Sequence, residues 1–250
     1  MIARKYGLTG FRTYRPEPLY KIASPTKVDH VDRKTLAIPI RDQLDEGACT
    51  GFGTTRAIQG ALGLPVALSP QFNYFNGRVR EATQDTDAGA MIGDVLDAFL
   101  EYGAAKESVY PYVPKQFAQR PTLDAYADAT ALKGKVKVRR VFGSAQFRNA
   151  LATPNTIVVL GFSVPEYFES QQMADTGWLP VPGPRDRFIG GHCVACDGFD
   201  SRNVDATEPY LWCPNSWAAD WGIAGWFKMP LRWVDDPRRL VDDCYAVQPV

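Results

Sequence analysis

The apolar residues of this chain change their period part way along, which confines it to folds with separate helical and strand-rich parts. Met91, Ile92, Val95, Leu96, Phe99 and Leu100 form one broad stripe at helical spacing that stops at Gly103. Ser69-Pro70 supplies a cap followed by proline at a first helical position, and Phe72, Phe75 and Val79 then fall on one face. A third helical spacing, Thr54, Ile58, Ala61 and Leu62, runs through Gly51, Gly53 and Gly60. Each interior glycine costs about 0.5 to 1 kcal/mol relative to alanine, so a helix over 49–62 must be held by burial. From about residue 135 the period becomes two: Val136 and Val138 alternate with Lys135, Lys137 and Arg139, and 157–164 reads as a buried strand. Further strands are expected at 192–197, 210–213, 226–229 and 244–247. The pattern predicts an α+β protein of two lobes, helical mainly over 49–130 and β mainly over 131–250. Residues 1–38 mix charge and proline, as in Arg15-Pro16-Glu17-Pro18, and are expected to form an extended arm over a body running from 39 to 250. His30, in that arm, is expected to face solvent.

With 250 residues, 45% of them hydrophobic, the chain can bury a large core, so global disorder is excluded. Lys plus Arg (28) balances Asp plus Glu (28) without a block of like charge. Nucleic acid and acidic membranes are therefore not expected partners. The longest purely apolar run, 157–160, is far short of the roughly 20 residues a spanning helix needs. The first ten residues lack the apolar segment of a secretory signal, and Cys49, Cys193, Cys196, Cys213 and Cys244 are a sparse, odd set. Both features predict a cytoplasmic protein with reduced thiols.

Three segments carry chemistry. In Gln43-Leu44-Asp45-Glu46-Gly47-Ala48-Cys49 a thiol follows a glycine turn and opens the glycine-rich helix. Orphan N–H groups and the helix dipole at that end favour an anion, which predicts a thiol pushed toward thiolate. In Gly190-Gly191-His192-Cys193 one of only two histidines stands at the mouth of a strand. Pro214-Asn215-Ser216-Trp217 and Trp221-Gly222 form the third segment.

Taken together these segments resemble the papain-like cysteine peptidases over about residues 38 to 229. Gln43 lies six residues before Cys49, Gly198 six after His192, and Asn215-Ser216-Trp217 is followed by Trp221-Gly222. Leu68-Ser69-Pro70-Gln71, Tyr102-Gly103 and Tyr110-Pro111-Tyr112 fall between, in the family's order. Three departures stand beside the matches. Thr50 replaces the family's aromatic neighbour of the nucleophile, and Glu46 stands where the first disulfide would need a cysteine. His192 lies 143 residues after Cys49, inside the family range of about 130 to 150, whereas Asn215, at 166, is beyond it. A longer turn over 200–208 would absorb the excess. The lost disulfide and Thr50 are similar to bacterial and phage-type members. Only 42 residues precede Gln43, so control by removal of a large propeptide is not expected.

The resemblance implies a two-lobe fold, a helical lobe against an antiparallel β-barrel-like lobe, with the active site in the cleft. It implies Cys49 as nucleophile and His192 as its base and later acid. Asn215 would orient the ring, Gln43 and the Cys49 N–H would donate to the oxyanion, and Trp217 would cover the histidine contact. Gly89, Met91, Gly191, Trp217 and Trp221 would line the substrate groove. No cofactor or metal is implied, and the partner is a polypeptide substrate. Two other functions stay open: an idle or weakly active component of a larger, phage-type and even virion-associated assembly, or an acyl transferase or deamidase using the same triad.

The remaining cysteines are expected to be small buried hydrophobes. Cys193 and Cys196 are three apart on a strand, so they face opposite sides and are not expected to share a metal. Asp85-Thr86-Asp87-Ala88-Gly89 begins like a calcium loop but lacks its third ligand and places its glycine one position early.

Overall fold

The computed structural model describes residues 4–8, 18–22, 27–34, 36, 38–204 and 208–250. Three helices come first: α1 (Cys49–Leu62), α2 (Pro70–Arg80) and α3 (Ile92–Tyr102). The Ser69 hydroxyl caps α2 by accepting from the Phe72 N–H, with Pro70 at the first helical position. Gly103, at φ 87°, ends α3 in a conformation that disfavours side chains. Within α1 every residue from Cys49 to Ala61 is buried. Its glycines are there for contact: a Cβ on Gly53 would lie 2.8 Å from Cys193 Sγ and 3.3 Å from the Val194 backbone. The helix is thus pressed directly onto the strand that carries His192, and its weak propensity is offset by that burial.

The strands form two four-stranded antiparallel sheets rather than a closed barrel. One has the order β1 (His30–Val31), β5 (Gly198–Asp200), β6 (Tyr210–Pro214), β7 (Trp226–Pro230). The other has the order β2 (Val136–Arg140), β8 (Val241–Pro249), β3 (Ile157–Pro165), β4 (Phe188–Cys196). Alternate residues of β4 face different cores. Cys193 and Ala195 pack with α1, Leu68 and α3, while Val194 and Cys196 pack with Phe162, Phe227 and Trp233. Cys193 and Cys196 therefore point to opposite sides, and among the described residues no group of His, Cys, Asp and Glu is placed to hold a metal ion. All five cysteines are free and buried.

Several local features differ from the periodicity reading. Three further helices, α4 (Leu123–Ala129), α5 (Gly143–Ala152) and α6 (Gln171–Thr176), are not expected from it: α4 and α6 carry too few turns for a stripe to register, α5 buries only Phe147, Ala150 and Leu151, and α5 and α6 interrupt the strand-rich half. Val79 and Leu100 stand exposed at the ends of their stripes. His30 is half-buried rather than solvent-facing, because it pairs with Asp200 as the edge of a sheet. Arg15 to Glu17 and residues 205–207 of the longer turn lie outside the described residues, while Pro18 is exposed and its carbonyl accepts from the Arg140 N–H.

Candidate active site

Cys49 is the first residue of α1 and is fully buried. Ala48 precedes it without a side-chain cap, so no side chain competes with the sulfur for the N–H groups of the first turn. The thiol is nevertheless pushed up, to about 11, by burial; N–H groups of Cys193, Gly7 and Thr50 oppose that shift without cancelling it. The expected thiolate is therefore not the form of this state. Desolvation of the sulfur outweighs a helix terminus, whose effect on an exposed charge is only about 0.3 to 1 kcal/mol.

His192 lies on β4 and is also fully buried. Its Nε2 is 2.9 Å from Asn215 Oδ1. The same oxygen accepts from the Ser216 N–H at 2.8 Å, which fixes the amide with its carbonyl toward the ring. Nε2 must then be the donor, leaving a lone pair on Nδ1, which has no hydrogen-bond partner among the described residues. Burial lowers the imidazole to about 4; the Asn215 contact opposes this, and the nearby Arg4 charge adds to it. Trp217 packs beside the ring with centroids 5.4 Å apart, and Phe162 and Phe168 close other sides at 5.6 and 6.1 Å. Trp221 touches Trp217 at 5.3 Å and Phe168 at the same distance. It is a second layer of this aromatic wall, packed on the rings that flank the histidine.

Gln43 is buried and joins the two halves. Its Oε1 accepts from the Ser216 hydroxyl at 2.5 Å, its N–H donates to the Ser216 carbonyl, and its own carbonyl accepts from Tyr112 Oη. Its Nε2 donates to the Glu46 carbonyl at 2.9 Å and reaches the Lys5 carbonyl at 3.3 Å. The residue before it, Asp42, bridges antiparallel to Trp217. The turn ahead of α1 and the segment after β6 are thus one hydrogen-bonded unit.

Of the expected groove residues, Gly89 and Gly191 stand on opposite sides of a narrow slot, and the chain's own residues 7 and 8 lie between them. Met91 caps α3, with its N–H on Glu81, and is half-buried. Sequence reasoning gave no role to Arg4 to Leu8 or to Asp42, and met Asp87 only in the calcium-like loop beside the expected groove residue Gly89. Asp87 accepts from the Gly47 N–H, Tyr74 Oη and Lys5 Nζ, so it ties the turn before Cys49 to α2. Nothing in its local sequence distinguishes it from the rejected calcium-like loop around it.

A family model described as papain family cysteine protease matches residues 24–234. An uncharacterized peptidase C1-like protein of Acanthamoeba polyphaga mimivirus is 33% identical over 188 residues, 72% of this chain and 58% of its own length. Cysteine proteinase 2 of Entamoeba histolytica is 27% identical over 84% of this chain and 65% of its own length. The chain thus spans less than two thirds of these relatives. Among solved structures, xylellain, a cysteine protease from Xylella fastidiosa, superposes with a TM-score of 0.84 at 25% identity, covering 100% of this chain and 99% of that one. Digestive procathepsin L2 from Tenebrio molitor shares the fold with a TM-score of 0.72 at 17% identity, over 99% and 78% of the two chains. With the family model spanning most of the chain and the mimivirus relative agreeing, this chain belongs to the papain family of cysteine proteases.

Proposed function

We propose that the protein is a thiol endopeptidase that cuts an extended polypeptide laid between the α1 to α3 wall and the β4 wall. The reading rests above all on the imidazole of His192, held by Asn215 in one tautomer with a bare Nδ1 lone pair inside an aromatic wall. That arrangement is suited to take a proton from sulfur. The Cys49 sulfur then attacks the scissile carbonyl carbon, and the oxyanion receives hydrogen bonds from the Cys49 N–H and Gln43 Nε2. His192 returns the proton to the leaving amine, giving an acyl-enzyme and a free amino end. Water, deprotonated by the same nitrogen, attacks the thioester and releases a carboxylate and the restored thiol. Trp217 and Phe168 exclude solvent from the His192 to Asn215 contact, which strengthens it. Five unpaired buried cysteines support action in a reducing compartment such as the cytoplasm.

An epoxide peptide inhibitor of the type that alkylates activated thiols tests this reading. It is expected to modify Cys49 stoichiometrically, with modification lost in His192→Ala and peptide-library cleavage lost in Cys49→Ala. Cleavage that survives in Cys49→Ala would end it.

A further inference from the structure

The Tyr110-Pro111-Tyr112 motif takes no part in the chemistry above, yet its second tyrosine touches the residue that carries the oxyanion donor. Tyr112 lies in the connection between α3 and α4, and its Oη donates to the Gln43 carbonyl at 2.7 Å. The same carbonyl accepts from the Glu46 N–H at 3.3 Å, which closes the turn before Cys49. From the other side, Ser216 accepts the Gln43 N–H at 2.8 Å and donates its hydroxyl to Gln43 Oε1. The β side of the cleft thus holds the N–H and side-chain oxygen of Gln43, and the helical side holds its carbonyl through one hydroxyl. Of the two Nε2 hydrogens, one goes to the Glu46 carbonyl at 2.9 Å and the other points into the slot, toward the Lys5 carbonyl at 3.3 Å. The second is the one an oxyanion would take.

The carbonyl that Tyr112 holds belongs to a peptide under strain. Leu44, on its far side, has φ 54°, in the left-handed region that a residue with a bulky side chain seldom adopts. Such a conformation persists only where its surroundings over-determine it. Here the Gln43–Leu44 peptide is gripped at both ends, its N–H by Asp42 Oδ1 at 2.8 Å and its C=O by Tyr112. With one grip gone the peptide plane can turn toward a relaxed φ, and the turn is taken up at the Gln43 Cα, from which Nε2 is aimed. Tyr112 is itself braced. Its N–H donates to Glu107 Oε1 at 2.9 Å, Glu107 pairs with Arg41 at 2.6 Å, and its ring meets Phe52 of α1 edge-on at 4.8 Å. Three residues on, the Lys115 N–H donates to Glu46 Oε2 at 3.2 Å, so this connection grips both ends of the 43–46 turn.

We propose that Tyr112 is a positioning residue for the oxyanion donor: its hydroxyl holds the strained Gln43–Leu44 peptide and thereby keeps Gln43 Nε2 aimed at the oxyanion. This rests on the peptidase reading, in which Gln43 Nε2 is that donor. Tyr112 acts through Gln43, so its loss belongs in the chemical step, with substrate binding and the thiol unaffected. A donor that is displaced loses only part of its effect, so the cost lies below the roughly 10² to 10³ of removing the donor outright.

The test is a pair of double-mutant cycles on the full chain, read in peptide cleavage and, in parallel, in alkylation of Cys49 by iodoacetamide. Tyr112→Phe keeps the ring against Phe52 and removes only the hydroxyl. It is expected to lower kcat about tenfold, with KM within about twofold of wild type. Alkylation should proceed at the wild-type rate, because displacement of iodide from a methylene carbon develops no oxyanion. In a Gln43→Ala background the same substitution should cost nothing further. Leu44→Gly takes the left-handed φ without strain, so in its background too the hydroxyl should matter little. There, adding Tyr112→Phe is expected to lower kcat less than about threefold, a comparison that stands even if Tyr112→Phe alone does not fold. Wild-type kcat in Tyr112→Phe would overturn the proposal. So would a tenfold loss that persists in either background, or a loss in kcat matched by slower alkylation. A wild-type chain that alkylates at Cys49 yet cuts no peptide would instead remove the peptidase reading, and this inference with it.

Discussion

The two halves of the site are in different states of readiness. On the β4 side, His192 has its orienting partner, a fixed tautomer and the rings of Phe162, Phe168 and Trp217, supplied by β3, by the turn after it and by the segment after β6. On the α1 side, the thiol is held well above neutral pH and takes backbone N–H groups, one of them from the segment lying across it. Both groups are fully buried and each is driven toward its neutral form, sulfur upward and imidazole downward. An ion pair needs the opposite shifts. The contrast teaches that a helix N-terminus beside a histidine does not by itself make a thiolate; solvent access to the cleft decides the protonation state.

The comparison can be broken most severely at the organised half. His192→Ala is expected to lower kcat/KM by roughly 10⁴ to 10⁶ on any peptide the wild type cuts, the scale of losing a triad member. A loss below tenfold would mean that the ordered ring is structural. Gln43→Ala, at the junction of the halves, should cost roughly 10² to 10³ in kcat, as for one oxyanion donor. A change in KM alone would show instead that Gln43 only braces Ser216.

Glu46 sharpens the difference without touching either reacting group. It is buried in the turn before Cys49, and its carboxyl is raised from 4.5 to about 7, chiefly by burial and then by the Asp87 charge. The folded form therefore holds its proton more tightly than the unfolded chain, and stability must fall as pH rises from 4.5 to 7. Glu46→Gln should then be more stable than wild type at pH 8, by up to roughly 3 kcal/mol in denaturant unfolding, with the advantage vanishing below pH 4.5. His192 has the opposite sign: its lowered imidazole makes stability fall as pH drops from 6.5 to about 4. The smallest expected effect is at Ser69→Ala, about 1 kcal/mol from the loss of the α2 cap, with kcat unchanged.

Much of this was legible in the chain because it is local. Cap, proline, glycine stop and period fix α1 to α3 and the six longer strands, and order along the chain brings Gln43, Cys49, His192 and Asn215 under one family. The helices in the strand-rich half were not legible, since α6 is under two turns long and α5 buries only Phe147, Ala150 and Leu151, too narrow a stripe to stand out. Trp221 reads like Trp217 in sequence but falls one layer farther from the ring, a distinction of depth that spacing does not hold.

By itself the sequence determined which atoms can do chemistry and on which elements they sit, for those follow from residue type and near-neighbour pattern. Tertiary structure alone decided their state. Gly7 meets Gly47 and Gly89, Arg4 meets Asp42 and Lys5 meets Asp87 across separations of 38 to 82 residues. Those encounters strip water from Cys49 and His192, and it is desolvation, a property of the assembled cleft, that sets whether the sulfur is thiol or thiolate.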